Sequence, residues 1–430
     1  MTVWTVAPDH TRLLADGEPT FLLADTVWAA FGRPSMPEWD AYLHRRRRQG
    51  FNAVNISVLP VAHDSSSSPA DRQPFELATD GSWRLDRPSA AYFENAASMC
   101  AAAVAAGLTP VLVVLWCNYV PGSWGARRTP ELVFSPADRD RYVRLVADTF
   151  AGYDPIFVLS GDDGFDDDAS IQAYVSALRL LRERAPDCLL TAHSNPSAVL
   201  PAALAEATDF YAFQSGHGGD SWDSRAWQLA EHYLNAAVRR PIVDLEPCYE
   251  GHGVDGGTRR YTAAQVRQAS WTAVLAGAGA GLGYAAHGVW SWHHAGDAFN
   301  GEHFSGTPFE ASLALQFRGA GQVGTLRRIV ERFGLYDLRS RQDLLVDDRS
   351  GVRLGATADS RTLVAFLPHP FTVRLGQDWS DAQVSCWNLA ADRPDHVTVT
   401  RAGEGHGDVV ERSVIGQPEF LGDALVILRR

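Results

Sequence analysis

Eight times between Phe21 and Phe333, a short apolar run gives way to polar residues and then to a segment with helical spacing. The runs are Phe21–Ala24, Ala53–Ser57, Pro110–Leu115, Ile156–Leu159, Leu189–Thr191, Phe210–Ala212, Ile242–Leu245 and Gly281–Tyr284. An uninterrupted run such as PVLVVL at Pro110–Leu115 suits a strand buried on both faces, as in a parallel sheet sheathed by helices. Strand–helix alternation predicts an α/β fold, and eight units predict a closed (β/α)8 TIM barrel. An open doubly wound sheet is the competitor. It carries a Gly-rich phosphate turn after its first strand, and DTVWAAF at Asp25–Phe31 is not one.

The segments between the runs have helix-like ends. Pro37–Gly50 places Trp39, Tyr42 and Leu43 on one side, and its arginine run, Arg45–Arg48, reads as a solvated face. Ala90–Ala106 is stopped by Gly107, Ser135–Phe150 opens with Ser-Pro, and Glu310–Phe333 reads as one helix closing the eighth unit. From about Arg341 the helical period ends. Runs at Gly351–Leu354, Thr362–Leu367, Phe371–Leu375, Ala382–Leu389, His396–Thr400 and Ala424–Leu428 are short, β-branched and bounded by Gly, Asp or Pro. They predict a small all-β sandwich. The expected organisation is a catalytic barrel over 1–340 and a sandwich over 341–430, with the barrel surface covering an apolar face of the sandwich.

Composition removes several chemistries. All 38 basic residues are arginines; the absence of lysine excludes lysine Schiff bases, pyridoxal-phosphate attachment and a P-loop. A net charge of -13 argues against a nucleic-acid partner. The five cysteines, Cys100, Cys117, Cys188, Cys248 and Cys386, are odd in number and widely spaced, so buried free thiols are expected rather than disulfides or a zinc site. The first residues show no basic stretch followed by an apolar run, and no apolar run is long enough for a membrane span. The expectation is a soluble, cytoplasmic protein.

In a (β/α)8 barrel the active site lies at the C-terminal ends of the strands. The polar and aromatic residues that follow the eight runs are therefore the candidates: Asp25 and Trp28; Asn55; Trp116; Asp162 and Asp163; His193; Gln214 and His217; Glu246, Tyr249 and Glu250; His287, Trp290 and Trp292. Carboxylates, amides, imidazoles and indoles on one rim suit a carbohydrate, with its hydroxyls and apolar C–H patches. The clustering of Trp28, Trp116, Trp290 and Trp292 on strand-end loops predicts a walled pocket and exo action.

Two carboxylates stand out. Asp162 follows strand four and Glu246 follows strand seven, so they face each other across the barrel mouth; retaining glycosidases need two such groups. Asp163 rivals Asp162, and Glu250 rivals Glu246. Asp166, Asp167 and Asp168 precede a helix and read as capping residues. A metal-dependent amidohydrolase built on the histidines is a further alternative. However, no HxH follows strand one, there is no lysine to carbamylate, and His293 and His294 are adjacent, so no metal and no other cofactor is expected. A non-catalytic glycan-binding protein on the same barrel is another, though a binder has no need to hold two acids together.

Taken together, DGEPTFLLADTVWAAF (Asp16–Phe31), RRRRQGFNAVNISVLP (Arg45–Pro60), VLSGDD (Val158–Asp163), QSGH (Gln214–His217), PIVDLEPCYEGH (Pro241–His252) and GYAAHGVWSW (Gly283–Trp292) resemble the apiosidase-like glycoside hydrolases. The resemblance spans nearly the whole chain, and the tail is similar to the β-sandwich labelled collagen-binding in that family. It implies a (β/α)8 retaining glycosidase. The aspartate after strand four, here Asp162, would be the acid/base, and the glutamate after strand seven, here Glu246, the nucleophile. It also implies a carbohydrate substrate such as an apioside.

Overall fold

The computed structural model describes every residue except 68–71, 197, 218–221, 255–256, 348–350 and 403–411. Eight parallel strands form the barrel: one (Leu22–Thr26), two (Ala53–Ser57), three (Thr109–Trp116), four (Ile156–Gly161), five (Leu190–Thr191), six (Tyr211–Phe213), seven (Ile242–Asp244) and eight (Gly281–Tyr284). They pair in the order five-four-three-two-one-eight-seven-six. Strands five and six close the ring without a ladder. Asp209 N–H donates to Leu190 C=O at 2.7 Å, and the Thr191 hydroxyl donates to Phe210 C=O at 2.7 Å. Every residue of strand three is buried, as a strand between barrel interior and helices requires.

The helix Met36–Arg48 begins at a capping box in which the Ser35 N–H and the Glu38 carboxylate meet at 2.7 Å, with Pro37 in the first turn. Its arginine run is not a uniformly solvated face. Arg46 is fully buried, and its Nε donates to Asp25 Oδ2 at 2.6 Å. Helical spacing turns Arg46 inward with Tyr42, while Arg47 and Arg48 stay exposed. The segment expected as one helix over Glu310–Phe333 is two, Ala311–Ala314 and Gly319–Phe333. The break lies where Glu250 Oε2 accepts from Gly319 N–H at 2.8 Å, a carboxylate set at a helix N-terminus.

Two features carry no periodic signal and escaped the sequence. A three-stranded antiparallel sheet (Trp4–Val6, Leu13–Ala15, Glu18–Pro19) precedes the barrel, and an antiparallel pair (Phe75–Leu77, Trp83–Pro88) follows strand two. The tail forms a six-stranded antiparallel sheet and a three-stranded one. In the larger sheet Val364, Phe366, Leu425 and Ile427 join the barrel's core, while Leu363, Ala365, Val426 and Leu428 pack toward the smaller sheet with Val373 and Ile415. This alternation follows from the period of two in a strand. Arg267, on the barrel helix Ala263–Ala276, makes a buried bidentate pair with Asp423 at 2.7 Å. All five cysteines are free and buried. Among the described residues no helix is long and apolar enough to cross a membrane.

Candidate active site

The strand ends converge on a cleft with about 390 Å³ of empty space, lined among others by Asp162, Gln214, His217, Glu246 and Tyr249. A larger hollow of about 750 Å³ lies at the opposite end of the barrel beside Ile242 and Gly277. Size does not separate the two. Convergent carboxylates do, and of the two hollows the strand-end cleft alone has them.

Strand four ends at Gly161, where an added Cβ would lie 2.2 Å from the Trp116 ring, so only glycine lets that indole cross the strand end. Asp162 follows with φ 56°, a left-handed conformation that aspartate adopts more readily than most residues. Its neighbour Asp163 is buried and does not line the cleft. Asp163 Oδ1 accepts from Phe165 N–H at 3.0 Å, which removes it as the cleft-facing rival. Asp167 caps the next helix by accepting from Ala169 N–H at 2.7 Å, as the acidic run predicted.

Glu246 is 5% exposed, with polar side chains on three sides. Gln214 Nε2 donates to its Oε1 at 2.9 Å, His217 Nε2 lies 3.2 Å from the same oxygen, and His193 Nε2 lies 3.3 Å from Oε2. Burial, reinforced by the charge of Asp162, pushes the Glu246 carboxyl up to about 7, although His193 and the Tyr249 hydroxyl pull the other way. Burial also lowers both imidazoles, His217 to about 4, so His217 meets Glu246 as a neutral ring. Glu250 is turned away from the cleft. Its Oε2 takes the Tyr284 hydroxyl at 2.7 Å and the Gly319 N–H.

Of the predicted indoles, Trp28, Trp116 and Trp290 line the cleft. Trp28 and Trp116 meet edge to face with centroids 4.9 Å apart, and Trp28 N–H donates to the Tyr249 hydroxyl at 3.1 Å. Trp116 Nε1 is buried with no hydrogen-bond partner among the described residues. Trp290 N–H donates to His287 Nδ1 at 3.2 Å, while His287 Nε2 lies 2.9 Å from Gly306 C=O; His287 thus stands behind the cleft and orients an indole. Trp292 packs against Tyr42, centroids 5.6 Å apart, outside the cleft lining. Asp25 and Asn55 are fully buried and also absent from that lining. Asp25 is taken up by Arg46 and by the Tyr42 hydroxyl, at 2.6 Å each.

His63, Asp64, Val61 and His252 complete the wall and were missed. Val61, His63 and Asp64 lie in the loop beyond strand two, where no apolar run announces them; the adjacency of His63 and Asp64 was the one visible signal. His63 Nε2 lies 3.4 Å from Asp162 Oδ2, and its Nδ1 lies 2.7 Å from Asn118 Oδ1. Burial opposes charging His63, but the hydrogen bond to Asp162 and its negative charge outweigh it and raise the imidazole's proton affinity. Among the described residues no three His, Cys, Asp or Glu side chains are grouped to hold a metal ion.

Residues 8–337 match the family model described as apiosidase-like, catalytic domain. A solved structure described as a glycoside hydrolase superposes with a TM-score of 0.78 at 16% identity, covering 99% of this chain and 96% of that one. A family 5 glycoside hydrolase from Bacteroides vulgatus gives 0.77 at 17% identity, with 99% and 93% covered. A family 5 mannosidase from Rhizomucor miehei gives 0.51 at 11% identity, with 78% and 100% covered. At these identities the likeness is one of fold. No curated protein matches the sequence.

Proposed function

Given that the chain belongs to the apiosidase-like family, we propose that it is a retaining, exo-acting glycosidase in which Glu246 is the nucleophile and Asp162 the acid/base. The observation that carries this reading is that, of the four candidate carboxylates after strands four and seven, Asp162 and Glu246 line one cleft while Asp163 and Glu250 are bonded elsewhere. In the first step the ionised Glu246 attacks the anomeric carbon, and Asp162 gives its proton to the departing glycosidic oxygen. In the second, Asp162 takes a proton from water as that water displaces Glu246. Gln214, donating to Oε1, fixes the carboxylate for attack. The neutral His217 adds no full positive charge that would blunt it.

Pocket shape supports exo action. The loop after strand two is laced to the loop after strand eight. Asn300 N–H donates to Ser65 C=O at 3.1 Å, Asn300 Nδ2 to Ala62 C=O at 2.8 Å, and Ser67 N–H to Ala298 C=O at 3.0 Å. A groove closed on one side accepts a chain end better than a chain interior. The substrate class we assign is a glycoside or oligosaccharide with a terminal sugar, a furanoside such as an apioside being the family's precedent.

Azide trapping tests the roles on nitrophenyl glycosides. Glu246→Gly should be rescued by azide to a glycosyl azide of inverted configuration, because azide occupies the vacated side. Asp162→Ala should retain its first step with the activated leaving group and yield an azide of retained configuration from the trapped intermediate. Swapped configurations by proton NMR would reverse the assignment, and unchanged activity in both variants would end it.

A further inference from the structure

Beside the cleft lies a second, tighter chamber. The two share Trp28, Val61, Asp64 and Trp290 as common walls. The chamber is built from the loops after strands one, two and eight, with Ser65, Ser66 and Ser291 adding hydroxyls to its lining. Two of its polar atoms, Asp64 Oδ1 and Ser291 Oγ, are buried with no hydrogen-bond partner among the described residues, and Ser291 is 1% exposed. Such atoms cost free energy unless something fills them, and nearly all buried polar groups in folded proteins are paired.

Asp64 is held where it is by close packing. An added Cβ at Gly301 would lie 1.5 Å from Asp64 Oδ1, so loop eight fits only with glycine there. The same loop binds Ser65 on both sides of its peptide, through Asn300 Oδ1 at 2.6 Å and Asn300 N–H at 3.1 Å. Ser66 Oγ lies 2.8 Å from His293 Nδ1. Asp64 thus stands on a braced loop, in a wall that also carries Trp28 and Trp290. That combination recognises a polyol ring, hydroxyls to the acid and C–H patches to the indoles.

We propose that Asp64, on the wall common to the cleft and this chamber, accepts hydrogen bonds from hydroxyls on the far side of the terminal sugar held against Glu246, and so determines which sugar is cleaved. The proposal rests on the glycosidase reading above. If Asp162 protonates the leaving oxygen, the leaving group lies toward strand four, and a wall made by loops one, two and eight lies on the glycone side. Asp64 takes no proton in this role. Burial and the charges of Asp162 and Glu246 raise its carboxyl to about 7, against the pull of His63, so sugar binding should strengthen as Asp64 ionises.

The test uses a panel of nitrophenyl furanosides and pyranosides, then the mono-deoxy analogues of the glycoside that the wild type cleaves fastest. Asp64→Asn, Gly301→Ala and Glu246→Gly are compared with the wild type. Asp64→Asn should lower kcat/KM roughly 10- to 100-fold, carried mainly by KM, as the loss of a hydrogen bond to a charged group implies. Its loss should shrink to near unity on the one or two deoxy analogues that lack the bonded hydroxyls. Gly301→Ala, which displaces Asp64 without altering it, should reproduce that selectivity. Near-wild-type kcat/KM for Asp64→Asn, or an equal loss on every analogue, overturns the proposal and leaves a chamber that holds only water. Failure of the wild type on the whole panel, or full activity in Glu246→Gly, overturns the underlying glycosidase reading instead.

Discussion

His63 Nε2 lies 3.4 Å from Asp162 Oδ2, while the opposite ring nitrogen lies 2.7 Å from the side-chain oxygen of Asn118. The imidazole therefore has an acceptor at each end, an arrangement that favours its protonated form and fixes its plane. It gives Asp162 a partner through which its side chain is oriented.

His63→Gln should accordingly act on the proton-transfer steps. With a leaving group that needs protonation, kcat should fall roughly 10-fold or more, a part of the 10²–10⁴ that general acid catalysis supplies. With a nitrophenol leaving group the first step should be nearly unaffected. Pre-steady-state release of nitrophenol compared with turnover of a natural glycoside measures the difference. Equal losses on both substrates would assign His63 a purely structural role.

The proton affinity of Glu246, pushed up to about 7 by burial, places the acid limb of kcat/KM near neutrality. Below that pH the proposed nucleophile is protonated and activity should fall. Gln214→Leu removes the donor 2.9 Å from Oε1, which stabilises the ionised form. At about 1.5–3 kcal/mol for such a bond and about 1.4 kcal/mol per pH unit, the limb should move upward by about one unit or more. A pH profile with an unmoved limb would show that Gln214 does not stabilise the carboxylate.

Asp244 is fully buried on strand seven, with the Ser215 hydroxyl donating to its Oδ2 at 2.7 Å. Burial raises its carboxyl from 3.8 to about 7. The folded state thus holds the proton more tightly than the unfolded chain. The stabilisation is complete below about pH 4 and is lost as pH rises through 7, with an upper bound of about 4 kcal/mol. Asp244→Asn should flatten the fall in Tm between pH 5 and 8. His217, lowered to about 4, works in the opposite direction, losing its contribution on acidification from 6.5, and is common to both proteins.

Arg267 and Asp423 pair across 2.7 Å between a barrel helix and the tail. Arg267→Ala leaves a buried carboxylate uncompensated and should cost about 3–5 kcal/mol in denaturant unfolding, whereas Arg267→Met with Asp423→Leu should recover most of it. We propose the boundary between barrel and tail near Ser340. A chain ending there uncovers the surface against which Val364, Phe366 and Ile427 pack, and is expected to be poorly soluble. A stable and fully active truncated barrel would make the tail an independent module.

The barrel was legible because its signal is local. A strand buried on both faces must be apolar throughout, and a helix must repeat near 3.6 residues, so eight alternations read directly from neighbouring residues. Strands two and eight match the structure end for end, and the other six match within one or two residues. That Asp162 and Glu246 line the cleft was legible for the same reason, since each follows an apolar run. The tertiary structure decided which strand-end residues reach the cleft. Asp25 was claimed by Arg46 and Glu250 by Gly319, partners that no spacing along the chain reveals. His63 and Asp64 arrived on a loop whose path is set by lacing to residues 298–300. Periodicity records the solvent exposure of each short segment. A site is made by contacts between segments far apart in sequence, and the energies that choose among carboxylates arise only when those contacts exclude water.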